Sequence, residues 1–503
     1  MKRIASTVLV GFPLVLCALV SSNGASSRRE IRFEERVAAQ ELIDRIYREA
    51  QAMSGSPVVA APSRVDLERR VLRQMDDEEF LRERSGASIS RRELKAELRR
   101  IQAQTHDPER LRAVSAALSD DLELILEAYV RPNLVARRVL DLTAGSGLAA
   151  ASTTQTKQGG WRPLPSTTSL WWYNASVWTG AYFIVYGGWN SFGLRYDPAV
   201  DAWSAISEVG KPPRAQGSSA VWTGSEVIVW GGFNGDPVVP GGRYDPLSDT
   251  WTPVSTDGQP RFGYGHVALW TGREMLIWGG FYDDGARYDP RTDTWTPMSR
   301  TNAPQVRWGA SGVWTGSRML VWGGLIGDNS DAPRFDDGGA YDPATDTWTR
   351  ILPGPFSPSA RGQHTAVWTG SRMIIWGGQT ESLDSLDDGA SYDPVTGSWE
   401  PLATGNAPSS RFDHGAVWTG QEMIIWGGRT SQAKGGNNPE YFLNDGRAYN
   451  PLRDEWRGLV GTNSLTARFQ FSTAWTGREM LIWGGQPSTA TQTSGVAYTP
   501  RTK

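Results

Sequence analysis

Two periodicities divide the chain. Up to about residue 142, apolar positions recur at three- and four-residue intervals. From Trp161 onward, short apolar runs return about every fifty residues. In the first part Phe33, Val37, Ile43, Ile46 and Tyr47 share a helical face, and Val65, Leu67, Val71, Leu72 and Phe80 repeat the pattern between Arg64 and Arg84. Ser90 and Glu93 form a capping box ahead of Leu94, Leu98 and Ile101. Asp107-Pro108 places an N-cap before a first-turn proline, and Leu122 to Leu142 supplies a last helical stretch. About four helices are predicted over residues 28–142. The small, polar residues 143–160 read as a flexible linker.

The second part is a counted repeat. Trp-Thr-Gly occurs at Trp178, Trp222, Trp270, Trp314, Trp368, Trp418 and Trp475, with spacings of 44, 48, 44, 54, 50 and 57 residues. Each is followed by an apolar run that ends in an aromatic residue and Gly-Gly. A variable loop then leads to Tyr-Asp-Pro or a variant, and six of the seven units continue to a further Trp. A run such as Met275-Leu276-Ile277-Trp278 has no polar position, as a strand buried on both faces requires. Glycine closes the tight turn after the first strand, and the proline of Tyr-Asp-Pro stops the third. Four short strands per unit, seven times over, predict a propeller of seven blades. The seventh unit lacks its fourth-strand Trp, whereas Trp161-Arg162-Pro163-Leu164 stands unused before the first unit. Residues 161–165 are therefore predicted to complete blade seven and close the ring.

The double glycine, the later Tyr and Trp at fixed offset, and an Arg before the first strand resemble the kelch repeat over residues 161–503. The fold class expected is an all-β seven-bladed kelch β-propeller preceded by a small α-helical region.

Composition adds three constraints. A formal charge of −3 in 503 residues gives no argument for nucleic acid or an anionic membrane surface. Residues 28–142 balance 22 basic against 22 acidic residues, which suits solvated helix faces or a module that docks to a partner. Lys2 and Arg3 followed by the apolar run Val8 to Val20 give residues 1–25 the pattern of a signal peptide, so a periplasmic, cell-surface or extracellular location is expected, with no membrane span after cleavage. Cys17 is the single cysteine and would leave with that segment, so no disulfide, thiolate ligand or cysteine nucleophile is expected.

The chemistry is read on one face. Loops leading into each first strand and loops after each Gly-Gly share it, because strand direction alternates. The lead-in loops carry Arg214, Arg261, Arg307, Arg361, Arg411 and Arg468, while Trp171, Trp172 and Trp308 lie outside the packing positions and are candidate ligand platforms. Six guanidiniums around one mouth would favour carboxylates, and the kelch resemblance implies an acidic peptide for such arginines. The opposing reading pairs them with Asp283, Asp284, Asp336, Asp337, Asp387, Asp388 and Asp445 in the post-glycine loops. His266, His364 and His414 share one repeat position, which fits inner-strand packing better than a metal site, and no metal or other cofactor is expected. The expectation is a non-catalytic binding protein for a protein segment or an acidic glycan. The alternative is a carbohydrate-active enzyme such as the sialic acid epimerases (mutarotases) that the resemblance brings in, for which only Asp413 beside His414 suggests an acid–base pair.

Overall fold

A computed structural model describes residues 31–143 and 160–501, apart from 54–60, 62–63, 86–87, 106, 168–172, 189–192, 236–238, 262, 283, 328–331, 432–440, 461–465 and 488–494. The candidate signal segment 1–25 and nearly all of the linker 143–160 lie outside these residues, as do Trp171 and Trp172.

Each repeat unit forms a four-stranded antiparallel blade. In blade three the strands are Val267–Trp270, Met275–Trp278, Gly285–Asp289 and Thr294–Pro297, paired in sequence order. The second strand is the packing element. Met275, Leu276, Ile277 and Trp278 are at most 1% exposed, and they face alternate neighbours. Met275 and Ile277 pack with Ile228 and Trp230 of blade two, whereas Leu276 and Trp278 pack with Met319 and Val321 of blade four. Burial of this kind contributes on the order of 2 kcal/mol per side chain. The outer edge is fastened by polar bonds between blades. The Trp295 indole donates to the Ser255 carbonyl at 2.8 Å, and Asp293 accepts from the Ser255 N–H and the Tyr288 hydroxyl.

Blade seven takes its fourth strand from the other end of the domain. Gly160–Pro163 pairs antiparallel with Gly495–Thr499, setting Trp161 opposite Tyr498. Arg162 then reaches Glu479 at 2.7 Å and Asp201 of blade one at 3.6 Å.

Five helices precede the ring among the described residues: α1 (Phe33–Met53), α2 (Arg64–Ser85), α3 (Arg91–Gln104), α4 (Pro108–Ala117) and α5, which opens at Leu122–Leu124, widens into a π-helical stretch over Ile125–Val130 and resumes over Arg131–Thr143. The Ser90–Glu93 capping box is formed at the start of α3. These helices dock on the face opposite the mouth, over blades one and two. Ile43, Leu111, Leu126 and Val130 share one core with Ala181, Val200 and Leu247 of the propeller. At its centre the Tyr47 hydroxyl donates to Asp197 at 2.7 Å, Tyr47 stacks on Tyr182, and Arg110 lies 3.5 Å from Asp197. Burial raises the Asp197 carboxyl above its usual range, against the pull of Arg110. The partner that the helices dock to includes the chain's own propeller.

Candidate functional site

The six mouth arginines do not form one ring. Arg307, Arg361, Arg411 and Arg468 each stand seven residues before the first-strand Trp. In the same register blades two and three hold Ala215 and Gly263, with Arg214 one residue and Arg261 two residues earlier, both exposed. The four in register are buried to 2% exposure or less. Each guanidinium crosses under the loop of its own blade to the carbonyl of the first glycine, as Arg361 does to Gly377 and Arg411 to Gly427, both at 3.1 Å. Three also pair with an aspartate of the post-glycine loop: Arg307 with Asp337 at 2.9 Å, Arg361 with Asp388 at 2.8 Å and Arg411 with Asp445 at 2.9 Å.

The expected positive funnel is therefore corrected at these four positions. The three paired arginine side chains are 0% exposed, while Asp337, Asp388 and Asp445 remain 33%, 49% and 44% exposed above them. Burying a charge is tolerated because carbonyls and a carboxylate surround it. Desolvation lowers the Arg468 guanidinium to about 10, still charged at neutral pH. Arg261 pairs with Asp284 at 3.0 Å and lies over the Tyr282 ring. In blades four to six the exposed partner of each pair is the carboxylate, whereas Arg214 and Arg261 stay exposed in blades two and three.

A second ring lies two residues further along, at the start of each inner strand. Its members are Tyr173, Gly217, Gly265, Gly309, Gln363, Asp413 and Gln470, all with φ between 52° and 71°. Five N–H groups donate to the carbonyl of the preceding blade's member: Gly217 to Tyr173, Gly309 to Gly265, Gln363 to Gly309, Asp413 to Gln363 and Gln470 to Asp413, at 3.0–3.4 Å. The backbone thus draws a nearly continuous circlet around the axis.

The side chains on this circlet are uneven. Blades two to four contribute only glycine, and above them stand Phe233, Tyr264, Phe281 and Trp308. Tyr264 contacts Phe281 edge-on at 4.6 Å and Trp308 at 6.0 Å, and the Trp308 indole donates to the Gly327 carbonyl. Blades five to seven and one contribute a polar wall. Asp413 binds Arg429 at 2.9 Å and accepts from Gln363 and Gln470, and Gln470 donates to the Tyr173 hydroxyl at 2.6 Å. Arg429 lies between the rings of Phe412 and Phe469, at 4.6 and 4.4 Å. An aromatic cluster over the glycine positions and a hydrogen-bonding cluster on the other blades suit a ligand with one apolar and one polar side.

Of the predicted platform residues, Trp308 stands in the aromatic cluster; Trp171 and Trp172 are not described. Asp413 and His414, adjacent in sequence, separate in space. Asp413 faces the mouth, whereas the His414 ring is buried in the blade seam with Nε2 2.8 Å from the Thr365 hydroxyl. His266 and His364 make the same contact to Ser219 and Ser311. The sequence reading missed the residue directly after Gly-Gly, which changes from Phe233, Phe281 and Leu325 to Gln379 and Arg429 around the ring. Comparing the repeats position by position reveals this change.

A family model described as the KLHDC2/KLHL20/DRC7 Kelch-repeats domain matches residues 217–428 and again 309–498. No curated protein matches the chain at a significant level.

Proposed function

Because the chain belongs to the kelch-repeat β-propellers, a family whose general role is protein binding, we propose that its mouth holds a segment of a partner protein carrying an aromatic or aliphatic residue beside a basic one. The observation that carries this reading is the two-sided mouth: Tyr264, Phe281 and Trp308 on one side, Gln363, Asp413 and Gln470 on the other. Aromatic side chains anchor a peptide at low entropic cost, and the polar wall fixes its backbone. The basic residue answers the carboxylates left outermost by the buried arginines. The same inversion of sign turns the reading away from an acidic glycan or a sialic acid, whose carboxylate would meet Asp388 and Asp445 first.

A peptide library displayed on phage and selected on the purified protein tests this. Selected sequences should pair an apolar anchor with Arg or Lys, and should lose about tenfold or more in affinity on Trp308→Ser and on Asp413→Asn. A pool that binds the double variant unchanged would remove the mouth from the reading.

A further inference from the structure

Between neighbouring blades, on the face opposite the mouth, an arginine recurs beside the Tyr-Asp-Pro turn of the next blade. Arg195, Arg243 and Arg287, each just before the third-strand tyrosine, donate to the carbonyls of Pro246, Pro290 and Pro343 at 2.7, 2.5 and 2.9 Å. Arg318 turns instead to Asp342 of its own blade at 3.8 Å. Arg457 and Arg162, each just after the outer-strand tryptophan, pair with Glu422 and Glu479 at 2.9 and 2.7 Å. The arginine-to-carbonyl bond thus spans three seams, between blades one and two, two and three, and three and four.

The seam between blades five and six departs from this. Ser391 stands where Arg195, Arg243 and Arg287 stand, and Glu400 stands where Arg457 and Arg162 stand. Arg372, the counterpart of Arg318, is drawn onto Glu400 at 2.7 Å. The groove has a volume of about 530 Å³ and is lined by Arg372, which also donates to the Ser391 hydroxyl at 3.4 Å, and by Ile374, Glu400, Trp418, Tyr449 and Leu452. It keeps the features those three seams use, the tyrosine and the proline of the next turn at Pro451, and Glu400, which is 61% exposed, supplies a carboxylate as Glu226 and Glu274 do for Arg243 and Arg287. Leu452 is 94% exposed at its lip and the equivalent Val395 of blade five is 91% exposed. The matching Leu247 of blade two is covered by the helices.

We infer that this groove receives an arginine side chain from a partner protein, the guanidinium set between Glu400 and the Tyr449–Pro451 turn as Arg195, Arg243 and Arg287 are set against the turns of blades two to four. Planar, multidirectional donation to a carbonyl and a carboxylate selects arginine over lysine. A polypeptide rather than a free guanidinium metabolite is the source, because Leu452 also needs cover. The site is independent of the mouth.

The test is titration of the full chain, methyl-labelled at isoleucine, with N-acetyl-arginine amide, its lysine analogue and a short leucine–arginine peptide. The Ile374 δ1 methyl should shift saturably with arginine, about tenfold more weakly with lysine, and most tightly with the peptide. Glu400→Gln should weaken the arginine response, Ser391→Arg should abolish it by supplying the guanidinium internally, and Leu452→Asp should weaken the peptide alone. Should Ser391→Arg fail to fold, Glu400→Gln carries the test. No saturable shift, an equal response to lysine, or an unchanged response in Glu400→Gln overturns the inference. Equal affinity for the amide and the peptide, unaffected by Leu452→Asp, overturns its protein source.

Discussion

Gln363, Asp413, Gln470 and Tyr173 hold φ of 57°, 52°, 52° and 58° at positions where blades two to four use glycine. A side chain in this left-handed region costs about 1 kcal/mol relative to glycine. Four residues that keep side chains against that cost are candidates for ligand contact rather than for folding. Replacing Gln363 and Gln470 together by glycine should hold the melting temperature or raise it by about 2 °C, while peptides selected at the mouth lose affinity. A fall of several degrees would mean that these side chains tie the circlet together instead. The arginines show where reading by residue type stops. Their identity and the aspartates opposite them were visible in the sequence. Which charge ends outermost was not, because it depends on whether the arginine stands seven residues before the Trp, as Arg361 does, or eight or nine, as Arg214 and Arg261 do.

The blade seams carry three histidines whose titration is coupled to folding. Each ring lies edge-on to a tryptophan of the preceding blade, as His364 does on Trp322 and His414 on Trp376. Desolvation lowers His266 to about 4 and His364 to about 3, helped at His364 by Arg361; burial and Arg411 likewise hold His414 well below its usual range. A histidine held neutral in the folded chain is protonated first in the unfolded chain, which titrates near 6.5, so stability is present above that pH and is lost as pH falls toward the folded value. Fully developed, the loss is about 3 kcal/mol at His266 and about 5 kcal/mol at His364. Thermal melts from pH 7.5 to 4.5 should fall more steeply for the native protein than for His364→Gln/His414→Gln, which starts lower at pH 7.5; parallel curves would show that these rings do not govern the acid limb. Elements of this kind were legible because the repeat states each requirement up to seven times. The π-helical stretch Ile125–Val130 was not, since one extra residue per turn leaves no mark in a three- and four-residue apolar rhythm.

For the molecule as a whole, closure rests on Gly160–Pro163. Trp161 packs on Tyr498 and Trp426, and Arg162 links blade seven to blade one. Deleting residues 160–165 should lower the melting temperature by about 10 °C or more, and a melt at the native temperature would show the ring to be self-sufficient without the exchanged strand. This exchange could be read from one surplus Trp and one missing Trp. The docking of the helices could not, although blade one carries its trace: Ala181-Tyr182 replaces pairs such as Arg273-Glu274 and Arg478-Glu479 after Trp-Thr-Gly, and Val200 sits in a turn where the others hold polar residues. Such changes gain meaning only once a second surface is known to lie against them.

The exchanged strand also orders events in time. Gly160–Pro163 leaves the ribosome before any blade exists, and its partner Gly495–Thr499 leaves only after the strands of the six other blades. Six blades can form as the chain emerges, but the ring stays an open arc with two unpaired edges until Gly495–Thr499 has emerged. The final step joins the two most distant parts of the domain, and such long-range pairings form slowly. A ribosome stalled within the last unit would release an arc able to pair with another arc, so the newly made chain is most prone to self-association just before its final strand arrives.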